Sequence, residues 1–366
     1  MSGSIYGTIF KISTWGESHG RGVGVVVDGC PAGVQLSEEI LQPYLNRRKP
    51  GTTKYSTPRK EEDKVSVLSG VFEGQTTGTP ISLVVYNENQ KSGDYSKIAS
   101  AYRPGHADYC FDQKYGFRDY RGGGRSSGRE TIGRVAAGAL ACEILKELGI
   151  SVRAYTKSIG PISIQSNQVN LDLIDQSPLY MPDLESSLKA EHYLLRQMQD
   201  HDSAGGIIEC VVTGMPVGIG EPVFDKLDAS LCKAVMSIGA VKGVEIGDGF
   251  QSSSLSGSQN NDAFLCGEDN VIRKATNHSG GILGGMSDGS KLILRVAVKP
   301  TPSIFKMQNT VNRDKENIQI KIQGRHDPII VPRAVVVVES MVAITLVDQL
   351  FMGMTSRMDR IKRFYT

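Results

Sequence analysis

Several features that assign a chain to a familiar class are missing from this sequence. Its six cysteines lie far apart and none forms a C-x-x-C pair, which excludes the common zinc and dithiol motifs. A disulfide framework is not expected in a chain of 366 residues with ordinary hydrophobic content. The 41 lysines and arginines nearly balance 39 acidic residues, and there is one tryptophan. This composition argues against a protein that coats nucleic acid or binds a membrane surface.

Signals for export, membrane insertion and metal binding are also missing. The first residues, MSGSIYGTIFKIS, contain no basic segment followed by a long apolar run, so we expect no secretory signal. We find no apolar stretch that approaches the roughly 18 residues of a membrane-spanning helix. We also find no His or acidic cluster with the spacing of metal ligands. The sequence therefore predicts a soluble cytoplasmic protein with no metal, no membrane partner and no nucleic-acid partner.

Glycine, in contrast, is abundant, with 41 residues against 15 prolines, which predicts tight turns or backbone that closely approaches a ligand. Hydrophobic periodicity changes between strand and helix without a repeat or a linker, so we expect one α+β domain over residues 1–366. Segment 332–352 fits a strand or a long helix, and 87–128 has no period and predicts a long loop. The predicted strands are 5–12, 22–28, 65–72, 80–86, 151–164 and 206–213. The predicted helices are 37–46 with Ser37 as N-cap, 129–148 with Gly149 as C-terminal stop, 183–199 and 222–238.

The stretch YRGGGRSSGRETIGR, residues 120–134, concentrates glycine, serine and arginine before the helix that starts near 129. Backbone N–H groups at a helix N-terminus, together with arginines, form a site for anions. Ser127 and Glu130 fit a capping box, and the apolar residues of the helix share one face. The P-loop motif is excluded because Arg-Glu replaces the required Lys-Ser/Thr. A glycine-rich turn with solvated arginines remains the alternative.

Other loops carry polar groups that could do chemistry. The basic stretch 47–60 is either a solvated charge run or a clamp on a polyanionic small molecule. His19, His106 and His326 lie in glycine-flanked polar loops, whereas His192 and His201 look ordinary and His278 is undecided. VKPTPS, residues 298–303, taken alone is a turn. In GRHDPIIVPR, residues 324–333, an Asp–His neighbourhood could move protons, although a structural role is equally open.

Taken together, these loops resemble the chorismate synthase family. The motifs GESHG, RRKPG, RPGHAD, YRGGGRSSGRET, VKGVEIGDGF, GGILGG, KPTPS and GRHDP appear in the family's order and approximate spacing over residues 16–328. The resemblance implies a β-α-β sandwich with a helical core between sheets and long active-site loops, usually a homotetramer. It implies elimination of phosphate from 5-enolpyruvylshikimate 3-phosphate to give chorismate, an anti 1,4-elimination that needs reduced FMN without net redox change.

The resemblance also implies roles for individual residues. His106 matches a histidine that protonates or hydrogen-bonds the reduced flavin, His19 one that protonates the departing phosphate, and Asp327 an aspartate near flavin N5. Arg48 matches a position for NADP or substrate anions, and Lys54 occupies its partner position, where many members have Arg. Arg47, Arg129 and Arg333 are further candidates for substrate anions. The implied FMN-binding residues are Arg125, Ser126, Ser127, Gly239, Ala240, Gly284, Lys299, Pro300, Thr301, Pro302, Ser303 and Arg325.

Two further expectations follow from the resemblance. We see no additional domain for flavin reduction, so we expect an external flavin reductase, with NADPH only as the ultimate reductant. The segments 43–60 and 87–128 are expected to cover the flavin and to become ordered when it binds. Two other functions are alternatives. One is a kinase-like nucleotide phosphotransferase that uses the glycine–arginine loop, residues 120–134, and the other is a nucleic-acid-binding module that uses 47–60. The missing Lys-Ser/Thr argues against the first, and the near-neutral charge against the second.

Overall fold

Two five-stranded antiparallel sheets dominate the computed structural model, which describes residues 3–57, 61–88, 99–322 and 327–366. The first sheet has the order β1 (Ile5–Tyr6), β2 (Lys11–Gly16), β3 (Gly22–Asp28), β7 (Ile81–Tyr86) and β4 (Val65–Val67). The second has the order β11 (Val241–Ile246), β16 (Leu292–Val298), β10 (Gly206–Thr213), β8 (Ser151–Ile159) and β9 (Ile162–Ser163).

Short hairpins and helices complete the described part of the chain. The hairpins pair β5 (Val71–Phe72) with β6 (Gln75–Thr76), β12 (Phe264–Cys266) with β13 (Ile272–Lys274), β14 (Ile282–Leu283) with β15 (Met286–Ser287), and β17 (Met307–Val311) with β18 (Asn317–Lys321). The helices are α1 (Glu38–Arg48), α2 (Asp108–Tyr115), α3 (Thr131–Glu147), α4 (Leu184–Gln199), α5 (Leu227–Met236), α6 (Gly257–Asn260), α7 (Val331–Met352) and α8 (Met358–Tyr365).

The two long helices α3 and α7 pack against each other between the sheets. α3 contacts β3 of the first sheet, and α7 contacts β8 and β10 of the second. A Cβ added to Gly138 of α3 would lie 2.2 Å from Cβ of Ser340 of α7, so only glycine permits this contact between the helices. The arrangement confirms the α+β class and the expected sandwich with a helical core.

α3 is buried on more than the single face that its periodicity predicts. Ala136, Ala137 and Gly138 are as well buried as Ile132 and Leu140. Small side chains allow the sheet and α7 to approach α3 from opposite sides. The predicted capping box was also wrong. Ser127 Oγ accepts from the backbone N of Arg129, which caps a 3-10 turn over residues 128–130 instead of α3.

α7 resolves the choice at 332–352 in favour of a helix and overturns one expectation. The helical run Val331–Thr355 has 25 residues and its most apolar 18-residue window has a mean hydropathy of 1.9, so by length and composition it could cross a membrane. The expectation that no apolar stretch approaches that length was wrong. However, 83% of its most apolar window is buried inside the protein. This burial between two sheets is that of the core helix of a soluble protein.

Three of the remaining predicted strands are interrupted, because 5–12 spans β1 and the start of β2, 65–72 spans β4 and β5, and 151–164 spans β8 and β9. The helix predicted at 222–238 is α5, which begins only at Leu227. α1 and the segment 87–128 differ as well. Ser37 caps α1 as expected, with Oγ accepting from the backbone N of Ile40, but α1 continues to Arg48. The arginines at 47 and 48 are therefore helical rather than part of the irregular basic stretch. The segment 87–128 was predicted to be a loop, and it contains α2.

Candidate functional site

Arg48, Arg129 and Arg333, three candidates for anion binding, lie in one cluster, which we call the arginine cluster. They come from the end of α1, the 3-10 turn before α3 and the first turn of α7. The buried carboxylate of Asp63 accepts from Nη1 of Arg48 at 3.0 Å and from Nη1 of Arg129 at 2.9 Å. Nε of Arg333 donates to the carbonyl oxygen of Arg48 at 3.1 Å. One acid therefore joins arginines from separate elements.

Each nitrogen of the buried Arg48 side chain already donates to a protein group. Its Nε donates to Oγ1 of Thr131 at 3.1 Å and its Nη2 to the carbonyl oxygen of Gly128 at 2.7 Å, in addition to the Asp63 contact. Burial lowers the pKa of Arg48 to about 10, Asp63 opposes this, and the charges of Arg333 and Arg129 reinforce it. Arg48 stays protonated at neutral pH and supplies fixed positive charge.

Asp327 belongs to the same cluster. One carboxylate oxygen accepts from the backbone N of Thr57 at 2.8 Å, and the other pairs with Nη1 of Arg333. The structure thereby brings the predicted acid at 327 to the predicted arginine at 333. In the part of the chain that the structure describes, Nη2 of Arg129 and Nη2 of Arg333 have no hydrogen-bond partner, so both can still donate to an anion.

His19 lies in the turn between β2 and β3, against the glycine–arginine loop. The turn is closed by the backbone N of Gly20, which donates to the carbonyl oxygen of Glu17 at 3.1 Å. Ser18 Oγ lies 3.2 Å from Nδ1 of His19. A Cβ added to Gly122 would lie 2.5 Å from the same nitrogen, so glycine at 122 gives the imidazole its space.

Arg125 anchors the glycine–arginine loop to the first sheet. It donates to the carbonyl oxygen of Gly16 at 3.1 Å and to Oγ1 of Thr14 at 2.7 Å. Ser126 Oγ donates to the carbonyl oxygen of Gly123 at 2.7 Å. In this conformation both side chains hold the loop in place, and the loop stays next to His19.

His106 contacts the loop VKPTPS, residues 298–303. Its Nδ1 lies 3.0 Å from the carbonyl oxygen of Pro104, and its Nε2 lies 2.8 Å from Ser303 Oγ. Lys299 Nζ donates to the carbonyl oxygen of Gly105 at 3.0 Å. A carbonyl oxygen only accepts, so Nδ1 carries the hydrogen, and Nε2 of the neutral ring accepts from the Ser303 hydroxyl.

A buried ion pair supports the His106 loop. Arg103 donates from Nε and Nη2 to the two carboxylate oxygens of Asp108 at 2.8 and 2.7 Å. Burial acts to raise the pKa of Asp108, but the hydrogen bonds and charge of Arg103 outweigh it and hold that pKa below its ordinary range. A Cβ added to Gly105 would lie 2.6 Å from Cβ of Pro302, so the two loops touch at glycine.

The same loop contacts two of the expected FMN-binding positions further along the chain. The backbone N of Lys299 donates to the carbonyl oxygen of Ala240 at 2.9 Å, and Ala240 adopts a positive φ of 72°. Gly239 precedes it, and no heavy atom lies within 4 Å of a Cβ added there. Ser203 Oγ donates to the carbonyl oxygen of Thr301 at 2.7 Å. Residues 239–240 and 299–303 therefore form one surface with His106.

Two bridges connect these groups into one site. Asn87 Nδ2 donates to the carbonyl oxygens of Glu17 at 3.0 Å and Gly20 at 2.8 Å, while its Oδ1 accepts from Nε of Arg129. This joins the His19 turn to the arginine cluster. The backbone N of Ala204 donates to the carbonyl oxygen of Pro328 at 3.0 Å. Ser203, which hydrogen-bonds to the 298–303 loop, therefore lies near Asp327.

Four predicted residues lie elsewhere or outside the described chain. Arg47 points away from Arg48 and pairs with buried Glu339 of α7 at 2.5 Å, beside a cavity of about 390 Å³. Lys54 is exposed and lies 3.8 Å from Glu191. Gly284 lies in the β14–β15 hairpin with a φ of 59°, and no heavy atom lies within 4 Å of a Cβ added there. Arg325, with neighbouring His326, lies outside the described residues.

Sequence reasoning missed three residues that hold the site together, namely Asp63, Asn87 and Asp108. Each is the polar partner of an arginine, and none of the three was among the residues that the motifs predicted for the site. The run Glu61–Asp63 follows the basic stretch directly, and both Glu61 and Asp63 pair with Arg129. That juxtaposition of charges was the available signal. Among the described residues, no group of three or more His, Cys, Asp and Glu side chains could hold a metal.

The fold and site define an enzyme in which histidines from loops and arginines from helix ends meet on a β-α-β sandwich. The profile of the family described as chorismate synthase matches residues 10–351. The chain belongs to the chorismate synthase family. It is accordingly a lyase that acts on a phosphate ester in the shikimate pathway, which leads to the aromatic amino acids.

Individual relatives cover the whole chain. A chorismate synthase of Lachnoclostridium phytofermentans is 67% identical over 365 residues, with 100% of each chain covered. One from the archaeon Methanococcoides burtonii is 52% identical and covers 96% of each chain. A solved structure titled "Crystal Structure of Chorismate Synthase" is 30% identical with a TM-score of 0.78, covering 98% of this chain and 97% of the other. The fold is therefore shared along the full length.

Proposed function

We propose that this protein converts 5-enolpyruvylshikimate 3-phosphate to chorismate with reduced FMN as its cofactor. In this reaction the C6–H bond breaks and its electron pair forms a double bond between C6 and C1, the existing C1=C2 pair moves to C2=C3, and phosphate leaves C3 with the C–O pair. The substrate carries one phosphate and two carboxylates, so its site needs several fixed cations. The observation that carries the proposal is the Asn87 bridge between the His19 turn and the arginine cluster.

The arginine cluster supplies those cations in two ways. Arg48 donates only to protein groups and acts as fixed positive charge. Arg129 and Arg333 each keep one Nη2 without a partner among the described residues, so these two are the direct donors to phosphate or carboxylate. Lys54 and Arg47 are less suited to this role, because Lys54 is exposed and Arg47 pairs with a buried glutamate.

The residues around His106 fit a flavin. Oγ1 of Thr301 is buried without a partner among the described residues, so it can bond to a polar group of a ligand. Gly239 has open space where a side chain would stand, which permits close approach to its backbone. When bound, reduced FMN supplies electron density to the elimination without net oxidation. The residues proposed to hold FMN are Lys299, Pro300, Thr301, Pro302, Ser303, Gly239, Ala240, Arg125, Ser126, Ser127, Gly284 and Arg325.

Three groups handle protons in this proposal. His19 donates one to the departing phosphate, as an imidazolium next to an anion can. His106 presents Nε2 to the flavin, and the Ser303 hydroxyl and Pro104 carbonyl hold its tautomer. Asp327, paired with Arg333, is the group proposed to receive the C6 hydrogen. The protein also orients the reactants and excludes water.

The proposal includes an assembly and a supply of reducing equivalents. The chain works as one domain over residues 1–366, in the cytoplasm, as a homotetramer. An external flavin reductase supplies reduced FMN, and NADPH serves only as the ultimate reductant. The segments 43–60 and 87–128, of which 58–60 and 89–98 lie outside the described residues, cover the flavin when it binds.

Anaerobic turnover tests the proposed function. The protein is mixed with 5-enolpyruvylshikimate 3-phosphate and chemically reduced FMN, and both chorismate and inorganic phosphate are measured. Equal amounts of both products are expected. A parallel sample with NADPH and oxidised FMN should stay inactive until a flavin reductase is added. Release of phosphate without chorismate, or turnover with no flavin, would contradict the proposal.

A further inference from the structure

We propose that Asn87 is a positioning residue that sets His19 relative to Arg129. The inference rests on the proposed function, in which His19 protonates the phosphate that Arg129 binds. Asn87 uses every hydrogen-bonding group of its amide across two parts of the site. Its Nδ2 donates to the carbonyl oxygens on either side of His19, those of Glu17 and Gly20, and its Oδ1 accepts from Nε of Arg129.

The backbone around Asn87 makes this contact rigid. Asn87 directly follows β7, and Tyr86 is paired with Gly22 at the start of β3. The backbone N of Asn87 donates to the carbonyl oxygen of Arg21 at 3.0 Å, which extends the ladder by one step. The side chain therefore starts from a fixed point beside the turn that carries His19.

Only a primary amide of this length satisfies the three contacts. Carbonyl oxygens need a donor, and Nε of Arg129 needs an acceptor, so a carboxylate would fail the first and an ammonium the second. The side chain also closes the turn from outside, next to the bond from Gly20 N to the Glu17 oxygen. A loss of these contacts frees both the turn and the guanidinium, and displacements of about 1 Å can cost about 10²-fold in rate.

The test is a double-mutant cycle between Asn87→Leu and His19→Ala. Leucine keeps the size of the side chain and removes its polar groups without adding charge. In the wild-type background we expect kcat to fall about 10- to 100-fold. In the His19→Ala background the same substitution should change kcat by about 2-fold or less, because His19 is gone, whereas KM should still rise because the guanidinium of Arg129 is freed in both backgrounds. Independent losses that multiply would overturn the inference.

A second variant separates the two contacts. Asn87→Asp keeps an acceptor for Arg129 but loses both donors to the turn, so kcat should fall while KM for the substrate changes less than in Asn87→Leu. Asn170→Leu is the matched control, since exposed Asn170 makes one local bond, from Asp172 N to its Oδ1, away from the site. Its activity should equal that of the wild type. An equal fall in the control would show a general loss of folding.

A readout without turnover distinguishes this inference from the proposed function. NMR of the imidazole groups should show the His19 signals shifted in both Asn87 variants, with those of exposed His192 unchanged. If the wild type makes no chorismate but His19 still shifts, the proposed function fails and the positioning role stands. If the wild type is active and the His19 signals and kcat are unchanged in Asn87→Leu, the positioning role is wrong. Should Asn87→Leu not fold, Asn87→Asp carries the same comparison.

Discussion

Nε2 of His106 and Oγ of Ser303 lie 2.8 Å apart, although 197 positions separate them in the chain. The contact joins the RPGHAD loop to the KPTPS loop, and the Pro104 carbonyl fixes the opposite ring nitrogen. Both ring nitrogens of His106 are therefore oriented by protein groups. A ligand that hydrogen-bonds to Nε2 must displace the Ser303 hydroxyl or share this nitrogen with it.

Replacement of these two residues should give losses of different size. His106→Ala removes the ring and should lower kcat about 10²- to 10⁴-fold, the range for a positioned acid or base. Ser303→Ala removes one neutral hydrogen bond of about 0.5–1.5 kcal/mol, so a loss of about 2- to 12-fold is expected. Steady-state kinetics with reduced FMN measure both. A Ser303 variant as slow as the His106 variant would show that the hydroxyl has a chemical role of its own.

His19→Ala should lower kcat about 10²- to 10⁴-fold while the fold stays intact. The physical reason is loss of the proton donor to the leaving phosphate. His192→Ala is the control, because His192 is exposed on α4 and should leave the rate unchanged. Rates and circular dichroism spectra of both variants check this. Near-normal turnover of the His19 variant would remove His19 from the mechanism.

Asp63→Asn should destabilise the protein and weaken substrate binding together. The carboxylate is fully buried between Arg48 and Arg129, and removal of one partner from a buried ion pair costs about 3–5 kcal/mol. Urea unfolding measures the stability, and KM for the substrate should rise because both guanidinium groups lose their anchor. Asp359→Asn breaks an exposed pair with Arg357 and should leave stability nearly unchanged, because solvent screens that pair. Equal losses in the two variants would contradict the structural role of Asp63.

Asp108→Asn should destabilise the protein in a pH-dependent way. The folded-state pKa of Asp108 lies below its ordinary value of about 3.9, so its pairing with Arg103 contributes stability above that pH. This contribution is lost as the pH falls through the lowered folded pKa. The deficit of the variant in urea unfolding should therefore be largest at pH 7 and shrink towards pH 3. A deficit that grows on acidification would reverse the assigned direction of the shift.

Gly138→Ala should destabilise the contact between α3 and α7. The new Cβ would lie 2.2 Å from Cβ of Ser340, and the helices must move apart at a cost of about 1–3 kcal/mol or more. Gly257→Ala in α6 is the control, because no heavy atom lies within 4 Å of a Cβ added there. Thermal unfolding compares the two. Equal melting temperatures of the two variants would contradict the close contact between α3 and α7.

Local signals in the sequence predicted the elements well, and long-range contacts set the limit of prediction. The Ser37 cap and the glycine at 149 are encoded within a few residues of their helices, whereas the partners Asp63 and Arg129 are 66 positions apart. The run of valines in α7 favours a strand by propensity, and only burial on all sides between two sheets makes it a helix. The family motifs located the histidines and arginines, while the acids and the amide that hold them went unnoticed.

The last two residues of α1 divide their work between the core and the site. Successive side chains on a helix point about 100° apart, so Arg47 faces Glu339 in the helical layer while Arg48 faces Asp63. The two adjacent arginines are therefore not redundant, because neither can form the ion pair of the other. Insertion or deletion of one residue in the last turn of α1 would rotate both arginine side chains. Buried Glu339 would then lose its ion pair, and the arginine cluster would lose one of its cations.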